Sequence, residues 1–228
     1  MKAIYHGHSF VELKIQGQDK EYTVLIDPFI TGNPLCDISR DDVKCDYIIL
    51  THAHGDHYGS TEELAESNDA TVISNHEITE YLSGKGLKVH GMNPGGSYIF
   101  PFGKVKLTIA HHSSSFDDGR YAGNPAGIII VSGGKVLYHA GDTGLFYDMK
   151  LLGEMHNIDL AFLPIGDNYT MGIDDAVKAA EFIGADTVVP VHFDTFDVIK
   201  SDPQEFKKKI ESIGKKCEIM APGDQIEI

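Results

Sequence analysis

The sequence predicts an α/β fold of four layers, an α/β/β/α sandwich in which two mixed sheets pack face to face with helices outside. Short apolar runs bounded by turn residues recur from one end of the chain to the other. Helical segments separate some of these runs, whereas hairpin signals such as the glycine pair at 133–134 separate others. A single parallel sheet does not account for that mixture. No linker, repeat or low-complexity tract divides the chain, so residues 1–228 are expected to form one domain.

Eight runs rich in β-branched residues predict strands. They lack strict alternation, which is typical of sheets covered on both faces. They span residues 22–27, 45–51, 70–75, 104–110, 126–132, 135–141, 159–165 and 186–193. The N-terminal residues 1–13 alternate instead, and we expect one further strand there.

Four segments carry the signals of helix ends and helical spacing. They span residues 60–68, 76–86, 172–185 and 202–214. The first opens with Ser60 and Thr61 ahead of an acidic turn, as a helix N-terminus prefers. The last has Pro203 near its start and Gly214 at its end.

Composition narrows the class of function. The net charge is −15 and only two arginines occur, so binding to nucleic acids or anionic membranes is disfavoured. No apolar run approaches the roughly 20 residues of a membrane span. The cysteines Cys36, Cys45 and Cys217 are scattered, which favours a reducing cytoplasm and argues against a thiolate zinc site. We therefore expect a cytoplasmic protein that acts on a small molecule, and self-association into a homo-oligomer stays open.

A dense group of histidines follows one predicted strand. Residues 51–57 read THAHGDH and come directly after DYIIL. His52 and His54 are two positions apart, so their side chains project to the same side. The conformational freedom of Gly55 is expected to let the loop fold back and present Asp56 and His57 as a second set. Imidazole and carboxylate together suit zinc, iron or manganese.

Other predicted strands also end in potential ligands. His111 and His112 follow the predicted strand 104–110. His139 and Asp142 lie at the end of the predicted strand 135–141, and His192 and Asp194 lie at the end of the predicted strand 186–193. Because ligands gather at the carboxyl ends of strands in α/β proteins, we expect these groups to meet.

The pattern resembles the metallo-β-lactamase superfamily, whose signature H-x-H-x-D-H is matched by residues 52–57. It is similar in particular to a branch of metal-dependent hydrolases, through blocks that cover nearly the whole chain. They are GHS (7–9), IDPFITGNP (26–34), AHHSS (110–114), GDTG (141–144), LPIGD (163–167) and APGD (221–224). The four-layer sandwich is also the fold of that superfamily.

The resemblance implies a centre of two divalent ions, zinc first, with Mn²⁺ and Fe²⁺ as alternatives. One ion would be held by His52, His54 and His112, and the other by Asp56, His57 and His192. Asp142 would bridge the two. Two adjacent cations lower the pKa of a bridging water and make it a nucleophile near neutral pH. Asp56 is the candidate catalytic residue, since it could orient that water or accept its proton.

The expected activity is hydrolysis of a small ester-type substrate, either a phosphodiester or a lactone. Scarce arginine argues against a general nuclease. Two alternatives remain: a di-iron redox protein, or a metal-binding scaffold without catalysis. The redox members carry a carboxylate where this chain has His54, and a scaffold would not need the complete ligand set.

Four residues near the expected centre have less certain roles. His8 fits ligand or substrate contact and structural hydrogen bonding equally well. Asp27 is expected to orient a ligand histidine, against the alternative of a turn carboxylate. His139 fits a proton shuttle or a satisfied interior histidine. Arg120, in the glycine-rich segment 113–127, could hold an anionic substrate group or lie in a solvated loop. Of the adjacent pair, His111 is expected to point away from the ligands.

Overall fold

The computed structural model describes residues 1–228 and contains two sheets of seven strands each. In spatial order, the first sheet consists of β14 (Gln225–Glu227), β1 (Lys2–Tyr5), β2 (Val11–Gln16), β3 (Glu21–Ile26), β4 (Tyr47–Ile49), β5 (Thr71–Asn75) and β6 (Val89–Met92). The second consists of β13 (Lys216–Cys217), β12 (Thr187–Val191), β11 (Leu160–Pro164), β10 (Lys135–His139), β9 (Ala126–Ser132), β8 (Gly103–Ile109) and β7 (Ser97–Phe100).

Each sheet is half antiparallel and half parallel. In the first sheet the pairs from β14 to β3 are antiparallel and those from β3 to β6 are parallel. In the second, the pairs from β7 to β10 are antiparallel and those from β10 to β13 are parallel. Parallel strands place their carboxyl ends at one edge, so each sheet brings several loops to the same edge.

Six α-helices and two short 3₁₀-helices, Arg40–Asp42 and Asp197–Ile199, accompany the sheets. The α-helices are α1 (Gly55–Tyr58), α2 (Thr61–Asn68), α3 (His76–Ser83), α4 (Met149–Met155), α5 (Ile173–Ile183) and α6 (Pro203–Ser212). Buried residues of α2 and α3 pack with the outer face of the first sheet, and those of α5 and α6 pack with the second. None of the six combines the length and apolar character that crossing a membrane requires.

The largest core cluster lies between the sheets. It joins inward side chains of the first sheet, such as Leu13 and Ile26, to Ile128 and Phe162 of the second. With a helical layer on each outer side, the molecule has four layers, and the predicted α/β/β/α sandwich is confirmed.

The eight predicted internal strands and the four predicted helices are all present, with ends shifted by a few residues. The expectation of one strand over residues 1–13 is wrong. β1 and β2 are separate antiparallel strands, because Gly7 (φ 94°) and His8 (φ 58°) turn the chain back between them. That turn carries His8 to the site described next.

Candidate metal centre

The histidine-rich loop leaves the carboxyl end of the buried strand β4. His52 lies in the loop, His54 immediately precedes α1, and Asp56 and His57 lie on that single helical turn. The expected role of Gly55 is wrong, because Gly55 starts α1 and has no positive φ. The chain turns at Gly59 instead, whose φ is 47° and whose added Cβ would lie 2.6 Å from the Cα of Phe29.

Three imidazoles form the first cluster of candidate ligands. Nε2 of His52 and Nδ1 of His54 lie 3.0 Å apart, and the ring of His112 is 5.1 Å from each of those rings between centroids. His112 comes from the second sheet, three residues after β8. Two ring nitrogens that face each other can share one hydrogen or turn both lone pairs to one cation.

The second cluster is built from carboxylates and histidines. His192 follows β12 directly, and its Nε2 lies 3.0 Å from Oδ2 of Asp142 and 3.9 Å from Oδ2 of Asp56. Oδ1 of Asp142 lies 3.2 Å from Nε2 of His57. Asp142 follows β10 and lies between the clusters, because its Oδ2 is also 3.6 Å from Nε2 of His112.

The donor atoms of these residues fit divalent metal ions. They fall into three groups whose ligand atoms lie within 4.8 Å of one another. The groups are His8, Asp56, His57 and His192; His52, His54 and His112; and His52, His57 and Asp142. Several atoms that face the centre, among them Nε2 of His57, Nε2 of His192 and Oδ1 of Asp142, are buried without a hydrogen-bond partner. A buried unpaired polar atom costs free energy, and coordination of a cation would remove that cost.

Burial and neighbouring charges set the protonation of the centre. Burial is the main cause that lowers the pKa values of His52, His54 and His112, so these rings are neutral at pH 7 and present lone pairs. Burial also opposes protonation of His57, but the carboxylates of Asp142 and Asp27 outweigh it and raise the pKa of this ring well above 6.5.

Both carboxylates of the clusters are ionised. Burial disfavours the charged form of Asp142, but His192 and His57 hold its pKa well below 3.8. Burial likewise opposes ionisation of Asp56, and a hydrogen bond from His8 with the charges of His57 and His8 keeps its pKa below the usual range. The side chain of Asp56 is 29% exposed against 4% for Asp142, so Asp56 is the carboxylate that a substrate can reach.

Asp27 supports the centre from behind. It is fully buried, its Oδ2 lies 2.8 Å from Nδ1 of His57, and it accepts hydrogen bonds from the backbone N–H and the hydroxyl of Thr51 at 2.8 and 2.6 Å. Thr51 in turn contacts Nδ1 of His52 at 2.9 Å. Asp27 therefore orients His57 directly and His52 through Thr51. Contacts of this kind behind a metal ligand fix which ring nitrogen carries the hydrogen.

Backbone strain is concentrated around the same place. His8, Asp27, His192 and Asp194 all have left-handed φ values between 48° and 59°, which are uncommon for residues other than glycine. Such strain persists where the surrounding structure over-determines the conformation, and it clusters at functional sites.

The remaining sequence candidates occupy different surroundings. His8 is buried with Nε2 3.2 Å from Oδ2 of Asp56. His139 is buried, with Nε2 3.1 Å from the carbonyl of Ser9 and Nδ1 accepting from the N–H of Gly141, so both ring nitrogens have partners. The ring of His111 stacks on Phe146 at 4.8 Å.

Arg120 lies at the surface and belongs to none of the candidate ligand groups. Its guanidinium pairs with Asp118 and stands over the ring of Tyr81 at 4.6 Å. The loop that carries it is anchored, because Ser114 accepts from the N–H of Ala53 and the amide of Asn75 donates to the carbonyl of Ala122. Substrate anchoring by Arg120 stays a prediction.

The sequence does not predict the roles of two threonines near the candidate ligands. Thr51 touches His52 and Asp27, and its position directly before the first histidine was a usable signal. Thr195 contacts His8, which is 187 residues away in the sequence, and no local sequence pattern indicates that contact.

Comparison with known proteins identifies the family of this chain. The family model of the beta-lactamase superfamily domain matches residues 22–193. The chain is 53% identical over 232 residues to a UPF0173 metal-dependent hydrolase of Anoxybacillus flavithermus, and 51% identical over 233 residues to one of Bacillus cereus. In both cases the alignment covers all of both proteins.

A solved structure extends the likeness to three dimensions. Igni18, a metallo hydrolase of Ignicoccus hospitalis, is 40% identical and superposes with a TM-score of 0.91, covering 100% of this chain and 98% of that one. The full-length matches, the shared fold and the clustered histidines and carboxylates agree with one another. The chain belongs to the beta-lactamase superfamily and is a metal-dependent hydrolase of the UPF0173 group.

Proposed function

We propose that this hydrolase holds two divalent ions, most simply Zn²⁺, and cleaves a small ester-type substrate, a phosphodiester or a lactone. The observation that carries the proposal is the position of Asp142 between two donor clusters. One of its oxygens faces His57, and the other faces His192 and His112. A carboxylate in that position can serve both ions at once.

The first ion would be held by His52, His54 and His112, and the second by Asp56, His57 and His192. When bound, the pair supplies an activated water and positive charge for the oxygen that becomes negative in the transition state. The chain's own part is orientation. Asp27 holds His57 through Nδ1, which leaves Nε2 directed at the centre.

Asp56 is the proposed catalytic carboxylate. It combines partial exposure with a lowered pKa, so it is ionised and accessible over the whole neutral range. An ionised carboxylate at this place can accept a hydrogen bond from the attacking water and orient it toward the substrate.

The surface charge supports a small substrate in a cytoplasmic setting. With a net charge of −15, the chain offers no basic track for a polynucleotide. Arg120 is paired with Asp118 and Arg40 lies beside Glu63, so both arginines already have acidic partners. The three cysteines are unpaired, as a reducing compartment favours.

The test combines metal content with turnover. The wild-type protein, His54→Ala and the control His90→Ala are loaded with Zn²⁺ and desalted, and their metal content is measured by mass spectrometry. They are then assayed on bis(p-nitrophenyl) phosphate and on a panel of lactones. His90 lies in β6, packed against the ring of Tyr98 and outside the ligand groups.

We expect about two ions per chain in the wild type and the control, and about one in His54→Ala. Hydrolysis by His54→Ala should fall by two orders of magnitude or more, because loss of a residue that only supports a metal ligand already lowers activity about 10–100-fold. If wild type and His54→Ala hold the same metal and hydrolyse the panel equally, the proposal is wrong. A visible charge-transfer band in protein that has incorporated iron during expression, together with reactivity toward oxygen, would favour the redox alternative instead.

A further inference from the structure

A cavity of about 210 Å³ lies beside the loop that carries the first candidate ligands. Ala53 and Gly55, the two neighbours of His54 in the chain, line this cavity together with Tyr58, which follows His57. No residue of its lining belongs to a candidate ligand group. The cavity therefore adjoins the ligand loop without being part of the metal centre.

Three aromatic side chains give the cavity apolar walls. The ring of Phe116 is buried, and its centroid lies 4.3 Å from that of Tyr81 and 5.8 Å from that of Tyr58. The faces of such rings carry partial negative charge, so they accept an organic group and attract a cation. The protein itself places a cation here, since the guanidinium carbon of Arg120 lies 4.6 Å from the centroid of Tyr81.

The charged side chains around the cavity leave one carboxylate unpaired. Arg120 donates to Asp118 at 2.6 Å, and Lys85 donates to Glu62 at 2.6 and 2.7 Å. Each of these pairs is close to neutral as a whole. Asp117 also lines the cavity, and its exposed carboxylate has no ion-pair partner. The net charge that a ligand meets in this cavity is therefore negative.

A tight turn holds Asp117 against the ligand loop. The N–H of Phe116 donates to the carbonyl of Arg120 at 2.9 Å, and the N–H of Gly119 donates to the carbonyl of Phe116 at 2.8 Å. A Cβ added to Gly55 would lie 2.9 Å from Oδ1 of Asp117, so this carboxylate packs against the Cα of Gly55. The unpaired charge thus has a fixed place beside the ligand loop.

We propose that this cavity binds a positively charged group of the substrate, an ammonium or amidinium on an organic chain, and that Asp117 selects for that charge. The inference rests on the proposed hydrolase function, because the cavity matters as a place next to the bond that is cleaved. It also narrows the substrate class. An ester or lactone that carries a cationic group complements the cavity, whereas a phosphodiester would bring a negative charge toward Asp117.

The first test measures binding with three probes that share a phenyl ring and differ in charge. They are 2-phenylethylammonium, 2-phenylethanol and 3-phenylpropanoate. The metal-free protein is titrated and followed by ¹H–¹⁵N NMR, so that no probe can coordinate a metal ion. We expect the ammonium to bind about 3–10-fold more tightly than the alcohol and the carboxylate to bind most weakly, with signals of Gly55 and Phe116 shifting.

Two variants test the role of the charge. Asp117→Asn removes it and Asp117→Lys reverses it, and both changes lie in an exposed turn. We expect the preference for the ammonium to vanish in the first variant and to reverse in the second. The control Glu154→Gln removes an exposed charge on α4, outside the cavity, and should keep the wild-type preference.

Three results would overturn the inference. The wild type could bind the three probes equally, or Asp117→Lys could keep the preference for the ammonium. The ammonium could also shift signals of Asp142 and His192 but not those of Gly55 and Phe116, which would place it in the metal centre instead of the cavity.

Turnover connects the cavity to the reaction. The Zn²⁺-loaded wild type and Asp117→Asn are assayed on the p-nitrophenyl esters of 4-(trimethylammonio)butanoate and 5,5-dimethylhexanoate, which have the same shape and differ in charge. We expect Asp117→Asn to raise the KM of the cationic ester about 3–10-fold more than that of the neutral ester. Equal effects on both esters would contradict selection by Asp117.

Failure of the proposed function gives a different result. A Zn²⁺-loaded wild type that hydrolyses neither ester, nor the phosphodiester and lactones named above, contradicts the hydrolytic proposal. The NMR titrations involve no metal and no turnover, so they decide in either case whether the cavity binds a cation through Asp117.

Discussion

Replacing Asp27 by asparagine tests whether the centre depends on the buried carboxylate behind it. Asp27 contacts three donors: the N–H of Thr51 at one oxygen, and the hydroxyl of Thr51 and Nδ1 of His57 at the other. Asparagine offers one acceptor oxygen, so its amide NH₂ must face at least one of these buried donors. We expect the metal-free protein to lose about 3–5 kcal/mol of unfolding free energy, the usual cost of breaking a buried pair by removing one partner.

Urea unfolding of the metal-free protein measures this loss without a contribution from bound metal. For a chain of this length the same loss lowers the Tm by roughly 6–20 °C. The matched control is Asp159→Asn, whose carboxylate accepts from the N–H of Val136 and pairs with half-exposed Lys135. We expect the control to lose about 1 kcal/mol or less, because water can replace these contacts. Equal losses in Asp27→Asn and the control would refute the reasoning.

The centre and its supports give four more expectations. The pKa of His57 is raised in the metal-free fold, so protonation of this ring stabilises the fold fully below about pH 6.5, the pKa of histidine in the unfolded chain. This stabilisation is lost as the pH rises through the higher pKa of the folded state. Unfolding free energies that rise between about pH 6.5 and 9 would contradict this expectation. Zn²⁺ binding at pH 7 should displace that proton, which calorimetry in two buffers of different ionisation enthalpy detects as proton release. His139→Phe should cost about 2–4 kcal/mol while metal content stays unchanged, because the N–H of Gly141 and the carbonyl of Ser9 lose their partner; loss of metal would instead implicate His139 in the centre. Gly59→Ala should cost more than about 3 kcal/mol in urea unfolding, since its Cβ would overlap the backbone of Phe29, and a wild-type midpoint would contradict the clash.

The sequence was most informative where a pattern is local. Most of the internal strands are short runs rich in apolar and β-branched residues, and the candidate ligands lie within a few residues of the ends of such runs, so both are recognisable from local sequence alone. The short strands β6, β7, β13 and β14 were missed because they lie at or near sheet edges, where pairing with a neighbour rather than composition makes the strand. Helix α4 was missed because it is short, contains Gly153 and exposes Leu151 and Met155.

Contacts over long separations in sequence were beyond local reasoning. The alternation of residues 1–13 continues across Gly7 and His8, so it conceals the turn that brings His8 beside His192. The pairing of Thr195 with His8 depends on two loops from different sheets. For the same reason the sequence predicts the turn of this loop at Gly55, whereas the close approach that requires glycine occurs at Gly59, against a segment thirty residues away.

The distribution of ligands between the sheets has a consequence for the lifetime of the protein. Four candidate ligands come from the first sheet and three from the second; they are His52, His54, Asp56 and His57, and His112, Asp142 and His192. Ions bound there would crosslink the loops of the two sheets. At a free metal concentration a thousandfold above Kd, each ion would add about 4 kcal/mol of resistance to unfolding. Proteases cleave unfolded chains, so depletion of metal in a cell would shorten the half-life of this protein as well as abolish its activity.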